Sequence, residues 1–407
     1  MRLSACVLAV AVLSPFAARA QTPPPGAPPA APPPEAAPPP AAVVVTPPPP
    51  PPPAAPAAPP AKTWKDLITV EGLVDTYYQW NFTGSTSVTS PAGAPIVVRS
   101  FDVNANTFTL NYAKVGIGVN ADPVGLRLDL GYGATGSIVN AGYLPDTVNN
   151  TPQSLGFIVQ QAYATIAPVT NLTLDFGKFV TTAGAEVIEA NKNWLYSRSI
   201  LFFNIPLLHN GVRATYKISD ALTLQASVVN GWNGTGITQD ITKDKTFGVS
   251  ANITVPGAGT NIIATGYFGK GEPYVSDAAT GAIAASTDTR LLADLVVAQT
   301  VGPLGLNLNF DYVTDKVAGI DGFTGVAVMA HYSVSDKLSA SARFEYARNG
   351  DPAHVKLIEG TVGLGVPFGG RFEFRPEVRV DNASQPNFDA GADKTQVTAT
   401  GAFLAWF

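Results

Sequence analysis

From Leu67 to the C-terminus, apolar and polar side chains take turns with a period of two, the pattern of strands whose two faces meet different surroundings. Leu306, Leu308, Phe310 and Tyr312 alternate with Asn307, Asn309 and Asp311. Leu338, Ala340, Ala342, Phe344 and Tyr346 alternate with Ser339, Ser341, Arg343 and Glu345. Phe372, Phe374, Val378 and Val380 alternate with Arg371, Glu373, Arg375, Glu377, Arg379 and Asp381. Val124 to Tyr132 obeys the same rule, with Arg127 and Asp129 on its polar face. Three stretches are less regular, Asn261–Gly269 being ambiguous throughout. Leu73 and Tyr77 join the polar face of Ile68–Trp80, and Thr107–Val119 switches phase near Ala113, as a β-bulge would make it do.

The connections alternate as well. Short ones at 120–123, 167–171, 219–221, 256–260, 302–305, 335–337 and 367–370 separate longer polar stretches near 82–106, 137–155, 180–210, 231–244, 270–288, 314–321, 347–354 and 382–393. Turns short on one side and loops long on the other are the asymmetry of bacterial outer-membrane barrels, with the short turns periplasmic. The expected fold class is all-β, a transmembrane antiparallel β-barrel of about sixteen strands over residues 63–407. A secreted β-sandwich or propeller also alternates, but it would show a polar face to water that these strands lack. Trp80 and Trp232 at outer strand ends, with Trp64 and Trp406 at inner ends, are the expected aromatic girdles.

Composition adds to this picture. The 407-residue chain is 46% hydrophobic and only 14% charged, with a formal charge of -5. No run of about twenty apolar residues follows the N-terminus, which excludes helical spans. Residues 1–20 read as a signal peptide: Arg2, an apolar core from Val7 to Phe16, and Ala18-Arg19-Ala20 before the cleavage point. Leu3-Ser4-Ala5-Cys6 resembles a lipidation box but precedes that core. Cleavage after Ala20 removes Cys6, the only cysteine, and with it any thiol chemistry. Residues 21–62 are so rich in proline and alanine that a disordered periplasmic segment is expected. In polyproline II form it would reach up to about 120 Å, as a tether or toward a cell-wall or periplasmic partner.

The alternation stops between Gly177 and Gly211. Glu186, Glu189 and Lys192 stand three apart, a spacing that predicts a short helix with all three on one side. A long structured connection in a repetitive scaffold is usually functional. It is expected to hang inside the barrel as a pore constriction built from Glu186, Glu189, Lys192 and Arg198, with Arg198 anchoring it through one of the two glutamates. Arg213, Lys217, Arg371, Arg375 and Arg379 are the candidate pore wall. Opposed charges across a narrow aqueous gap would set up a transverse field that orients polar solutes. The blander reading of the arginines from 371 to 379 is that they neutralise Glu373 and Glu377, and that of His209 is a structural role beside a strand.

With Phe176-Gly177-Lys178-Phe179, Gly184-Ala185-Glu186, Glu189, Asn193, Tyr196-Ser197-Arg198-Ser199, Pro206, His209, Gly211 and Arg213 in place, the chain resembles the beta-barrel porin-2 type of outer-membrane protein. The resemblance implies an outer-membrane pore and leaves its substrate unassigned. The inward third loop resembles the architecture of sixteen-stranded porins, and by that analogy a homotrimer is expected. The terminal Phe407 resembles the signal read by the barrel assembly machinery. The expected function is passive diffusion of small hydrophilic solutes across the bacterial outer membrane, among its lipids. The runner-up is a non-conducting structural or surface-binding barrel with a periplasmic tether. No enzyme, metal or cofactor is expected. His209, His331 and His354 form no motif with a serine and an acid and have no paired ligand spacing, and no glycine-rich phosphate loop opens a helix. Acidic net charge without a basic cluster argues against nucleic acid.

Overall fold

The computed structural model describes residues 67–88, 98–120, 123–141, 156–233, 244–270, 273–277, 282–285, 289–314, 322–350 and 354–407. The expected signal peptide, the proline-rich segment and Trp64 lie outside the described residues.

Sixteen strands close into one antiparallel barrel. In chain order they are β1 (Ile68–Asn81), β2 (Phe108–Val119), β3 (Val124–Tyr132), β4 (Phe157–Val169), β5 (Leu172–Val180), β6 (Leu208–Lys217), β7 (Leu222–Val229), β8 (Thr246–Val255) and β9 (Thr260–Lys270). A small hairpin of β10 (Pro273–Asp277) and β11 (Ala282–Ala285) stands outside the barrel sheet. The wall resumes with β12 (Thr289–Val301), β13 (Leu304–Thr314), β14 (Phe323–Ser335), β15 (Leu338–Asn349), β16 (Lys356–Phe368), β17 (Phe372–Ala383) and β18 (Thr395–Trp406). All the short connections fall at one end and all the long ones at the other, as the spacing along the chain predicts.

The barrel is inverted relative to a water-soluble protein. Its outward positions are apolar and bare: Phe344 is 58% exposed, while the neighbouring inward Arg343 and Glu345 are 3% and 0% exposed. Among the described residues no helix is long and apolar enough to cross a membrane. Crossing falls to the strands, which pair around a closed sheet with no edge.

The seam joins β1 to β18, from Leu73 opposite Trp406 to Asn81 opposite Thr398. Gly72 and Phe407 then exchange two backbone hydrogen bonds of 3.1 Å each. A Cβ on Gly72 would lie 2.0 Å from the Phe407 ring, so glycine is what lets the last side chain lie across the first strand. The expected phase switch in β2 is also present. Asp75 pairs with Tyr112 but Thr76 with Leu110, leaving Asn111 as the extra residue. After it Lys114 points inward.

The interior changes along the barrel axis. On β14 the inward positions run from buried Phe323, Ala327 and Met329 at the long-loop end to half-buried His331 and exposed Ser333 at the short-turn end. Leu292, Val313, Phe323, Ala347, Leu357 and Ala383 are inward, buried and part of one apolar cluster. The wholly polar lumen that simple alternation would give is therefore interrupted by an apolar cluster at the long-loop end. Two tryptophans expected in the girdles belong to the interior instead. Trp232 is buried in the apolar cluster with the Arg290 guanidinium 4.0 Å over its ring. Trp406 follows Leu404 and Ala402 on the inward face of β18. Trp80 does face outward, half exposed.

Candidate pore constriction

Residues 181–207, between β5 and β6, form the third long loop and cross the lumen. The spacing of Glu186, Glu189 and Lys192 predicts a helix, but the structure has only a single 3-10 turn, Ala190–Lys192, and a short helix α1 at Ile200–Phe203. One asparagine explains part of the difference. The Asn193 amide donates to the carbonyls of Val187 (2.8 Å) and Glu189 (3.0 Å) and accepts from the Val187 N–H (3.0 Å), taking backbone groups that a helix would pair internally. The two glutamates consequently point to different walls. Glu186 meets Arg343 of β15 at 3.2 Å, and Glu189 meets Lys114 of β2 and Gln160 of β4.

An irregular segment buried in a lumen must still pair its N–H and C=O groups. Here the wall supplies the partners. Glu377 accepts from the N–H groups of Tyr196 (2.8 Å) and Ser197 (3.2 Å), Glu345 from Ile200 (2.9 Å), and Asn309 from Ala185 (3.2 Å). Glu186 accepts from the Ser199 N–H at 2.8 Å, closing the loop on itself. Arginines take the carbonyls: Arg343 donates to Ser197 (2.7 Å), Arg379 to Arg198 (2.7 Å) and Arg375 to Ala190 (2.6 Å). Arg198 anchors the loop as expected but not through a glutamate. Its guanidinium donates to the backbone oxygens of Val187, Ile188 and Tyr196. The bulge takes part too, since Asn111 donates to Asp75 (2.8 Å) and to the Tyr196 hydroxyl (2.9 Å), which donates to Asp75 in turn (2.8 Å). Burial, and next the Asp75 carboxylate, push the Tyr196 hydroxyl well above its usual range, so it remains a donor.

A second loop, which the sequence reading treats as merely polar, lies over the first. In the β1–β2 connection Val98 and Phe101 are buried, and Phe101 packs edge-on against Phe202 with ring centroids 5.8 Å apart. Arg99 of that loop pairs with Asp102 and with Asp381 of β17 (3.1 Å), and donates to Thr398 of β18 (2.7 Å). The traces in the sequence were Val98 and Phe101 inside a polar stretch and an Arg–Asp pair three residues apart.

The geometry is that of a closed sixteen-stranded barrel, and likeness to known proteins agrees with that much. Residues 67–407 match the family model described as "Putative beta-barrel porin-2, OmpL-like". The chain belongs to the beta-barrel porin-2 family. It is an outer-membrane barrel of the porin class. No curated protein matches it in sequence. Among solved structures it is similar to the outer-membrane expressed OmpT of Vibrio cholerae (TM-score 0.53, 12% identity, covering 84% of this chain and 97% of that one). The outer membrane channel DcaP of Acinetobacter baumannii gives 0.52 at 14% identity, covering 84% and 97%, and Salmonella typhi OmpF in complex with daunomycin gives 0.51 at 12%, again covering 84% and 97%. At such identities the likeness speaks for the fold alone.

Within this porin-2 barrel the remaining candidates scatter. Arg213 faces the lumen from β6, holds Asp175 at 2.8 Å and lies 4.4 Å over the Phe179 ring. Lys217 lies at the short-turn rim, paired to Asp220 at 2.7 Å, and Arg371 is an exposed residue of the last short turn. Arg375 pairs with Glu373 at 2.8 Å, whereas Arg379 pairs with Asp381 at 2.8 Å and Glu377 is taken by loop N–H groups instead. His209 is wholly buried, stacked on Tyr267 with centroids 4.7 Å apart beside Phe179. Lys192 stands apart from all of these. It is exposed, has no ion-pair partner among the described residues, and lines four lumenal cavities of about 190, 230, 340 and 940 Å³.

Proposed function

We propose that this barrel is an outer-membrane porin through which small hydrophilic solutes pass by diffusion, narrowed by the inward 181–207 loop. Membership of a porin family supports transport over catalysis. The observation that carries the reading is the lower lumen, where polar side chains around Lys192 line cavities reaching about 940 Å³, too wide for the wall to fill. Because the charges of the upper wall are spent on the loop backbone, a transverse field there has no free members. Lys192 sets the sign of selection in the open region, and the reading gives a modest preference for anions.

The buried apolar cluster at the long-loop end favours a second reading, a barrel closed at its outer half, with residues 21–62 acting as a tether. Single-channel recording from the refolded mature protein separates the two. Stable conductance steps with anion-over-cation reversal potentials support the porin. Absence of steps from correctly folded protein supports the closed barrel.

A further inference from the structure

Two tryptophan side chains stand together in the lower half of the lumen, on a cavity that is otherwise mostly polar. Trp194 hangs from the tip of the inward loop and Trp406 ends β18, and both line the cavity of about 340 Å³ that Lys192 also borders. Trp194 is braced. Its ring stacks on His331 at 5.4 Å between centroids with 19° between planes, and its edge lies over Gly305, where a Cβ would come within 2.8 Å of the ring. The neighbouring positions Ser333 and Ser339 offer hydroxyls. Arg375, the other cation on this cavity, is spent on Glu373 and the Ala190 carbonyl. What is left over is a braced aromatic face, short hydroxyls and the Lys192 ammonium, which makes no ion pair among the described residues and feels Glu71 and Glu189 only at longer range.

We infer that this cavity is a binding site for a monosaccharide bearing a carboxylate. An indole face takes the C–H face of a sugar ring, in the way aromatic side chains present apolar area with little conformational freedom to lose. Serine hydroxyls exchange hydrogen bonds with ring hydroxyls, and the Lys192 ammonium receives the carboxylate as a charge-assisted donor. The volume lies in the range of small-ligand sites, about 300–1,000 Å³. An aromatic acid would use the same tryptophan and lysine but would leave the serines without partners, which costs affinity. The site deepens the porin reading by naming its substrate class, and so rests on that reading.

Its test does not need conduction. The refolded mature protein in detergent is titrated with glucuronate while tryptophan fluorescence is followed, with glucose, benzoate and acetate as comparators. The expected result is a saturable change for glucuronate, at a Kd about tenfold below that of any comparator. Lys192→Gln should bring glucuronate down to the level of glucose, and Trp194→Phe should remove most of the signal while Trp194→Ala weakens both sugars. Lys192 is exposed, so loss of folding is not the explanation for its variant, and heat-modified migration on gels checks this for all three. No saturable change, or equal responses to acetate or benzoate, overturns the inference. Binding without conductance would remove the porin reading and keep the site, and conductance without binding would do the reverse.

Discussion

The two halves of the lumen use the same residue types for opposite ends. In the upper half Arg343, Arg379, Glu186, Glu345 and Glu377 are buried and aimed at backbone groups of the inward loop, so they act as the missing strands and helix turns of an irregular segment. In the lower half Lys192, an exposed residue between buried Ala190 and buried Asn193, faces open cavities without an ion pair among the described residues, Glu71 and Glu189 acting on it only at longer range. A charge in a porin lumen therefore cannot be assumed to act on solutes. What decides is whether it is already paired to backbone.

The sharpest way to break the contrast is to remove the centre of the upper network. Arg343 touches Glu186 (3.2 Å), Glu345 (2.8 Å) and Glu359 (3.1 Å) and also holds two loop carbonyls. Arg343→Met leaves three buried carboxylates with less compensation and should cost about 3–5 kcal/mol in urea unfolding of the lipid-inserted barrel. Unchanged stability would mean that water already reaches these groups. A somewhat smaller loss is expected from Leu201→Ala in the short helix, about 2–5 kcal/mol, because Leu201 is wholly buried against β14 at Gly325. If the apolar cluster is what closes the outer half, this variant should also raise single-channel conductance.

Charge selection sharpens the same comparison with little change in stability. Lys192→Glu should shift the reversal potential in a salt gradient toward cations and leave stability within about 0.5 kcal/mol, since the side chain is exposed. Glu186→Gln should do the opposite, lowering stability with little effect on selectivity. Should Glu186→Gln move the reversal potential as far as Lys192→Glu does, the upper half would have to be counted as part of the water-filled path.

The barrel was legible because alternation is a local signal: every strand with clean period-two patterning, and every short turn, could be placed from neighbouring residues. The irregular positions were informative too, since Leu73 and Tyr77 break the pattern of β1 because both turn inward and are buried there, Tyr77 packing against Tyr196. The apolar cluster of the upper lumen also left a trace in adjacent apolar pairs such as Leu291-Leu292 and Leu357-Ile358 at outer strand ends, where both faces are apolar. The inward loop was not legible in detail. Its conformation depends on partners more than a hundred residues away, such as Glu345 for Ile200 and Glu377 for Tyr196, and no spacing rule within the loop records them. Helical spacing of Glu186 and Glu189 misled because Asn193 competes for the same backbone.

The smallest expected effect concerns pH, and it follows from the two loops rather than the wall. Burial raises the Glu189 carboxyl, but the Lys114 ammonium outweighs it and holds the group below its ordinary value of 4.5. Asp102 behaves alike: burial opposes ionisation, yet Arg99 and next Arg379 hold it below its ordinary value of 3.8. A carboxylate depressed in the folded state contributes stability that is fully present above its unfolded value and is lost as pH falls through the folded one. Both loops should therefore stay seated at neutral and mildly acidic pH and loosen only below the ordinary carboxylate range. Current noise, or Trp194 fluorescence, followed from about pH 6 to about pH 2 should be flat at first and then change. Glu189→Gln should remove its share of that change, because it has no proton left to take up. A transition centred above pH 4.5 would instead point to a carboxyl that burial has raised, and the seat of the loop would then have to be sought on the wall.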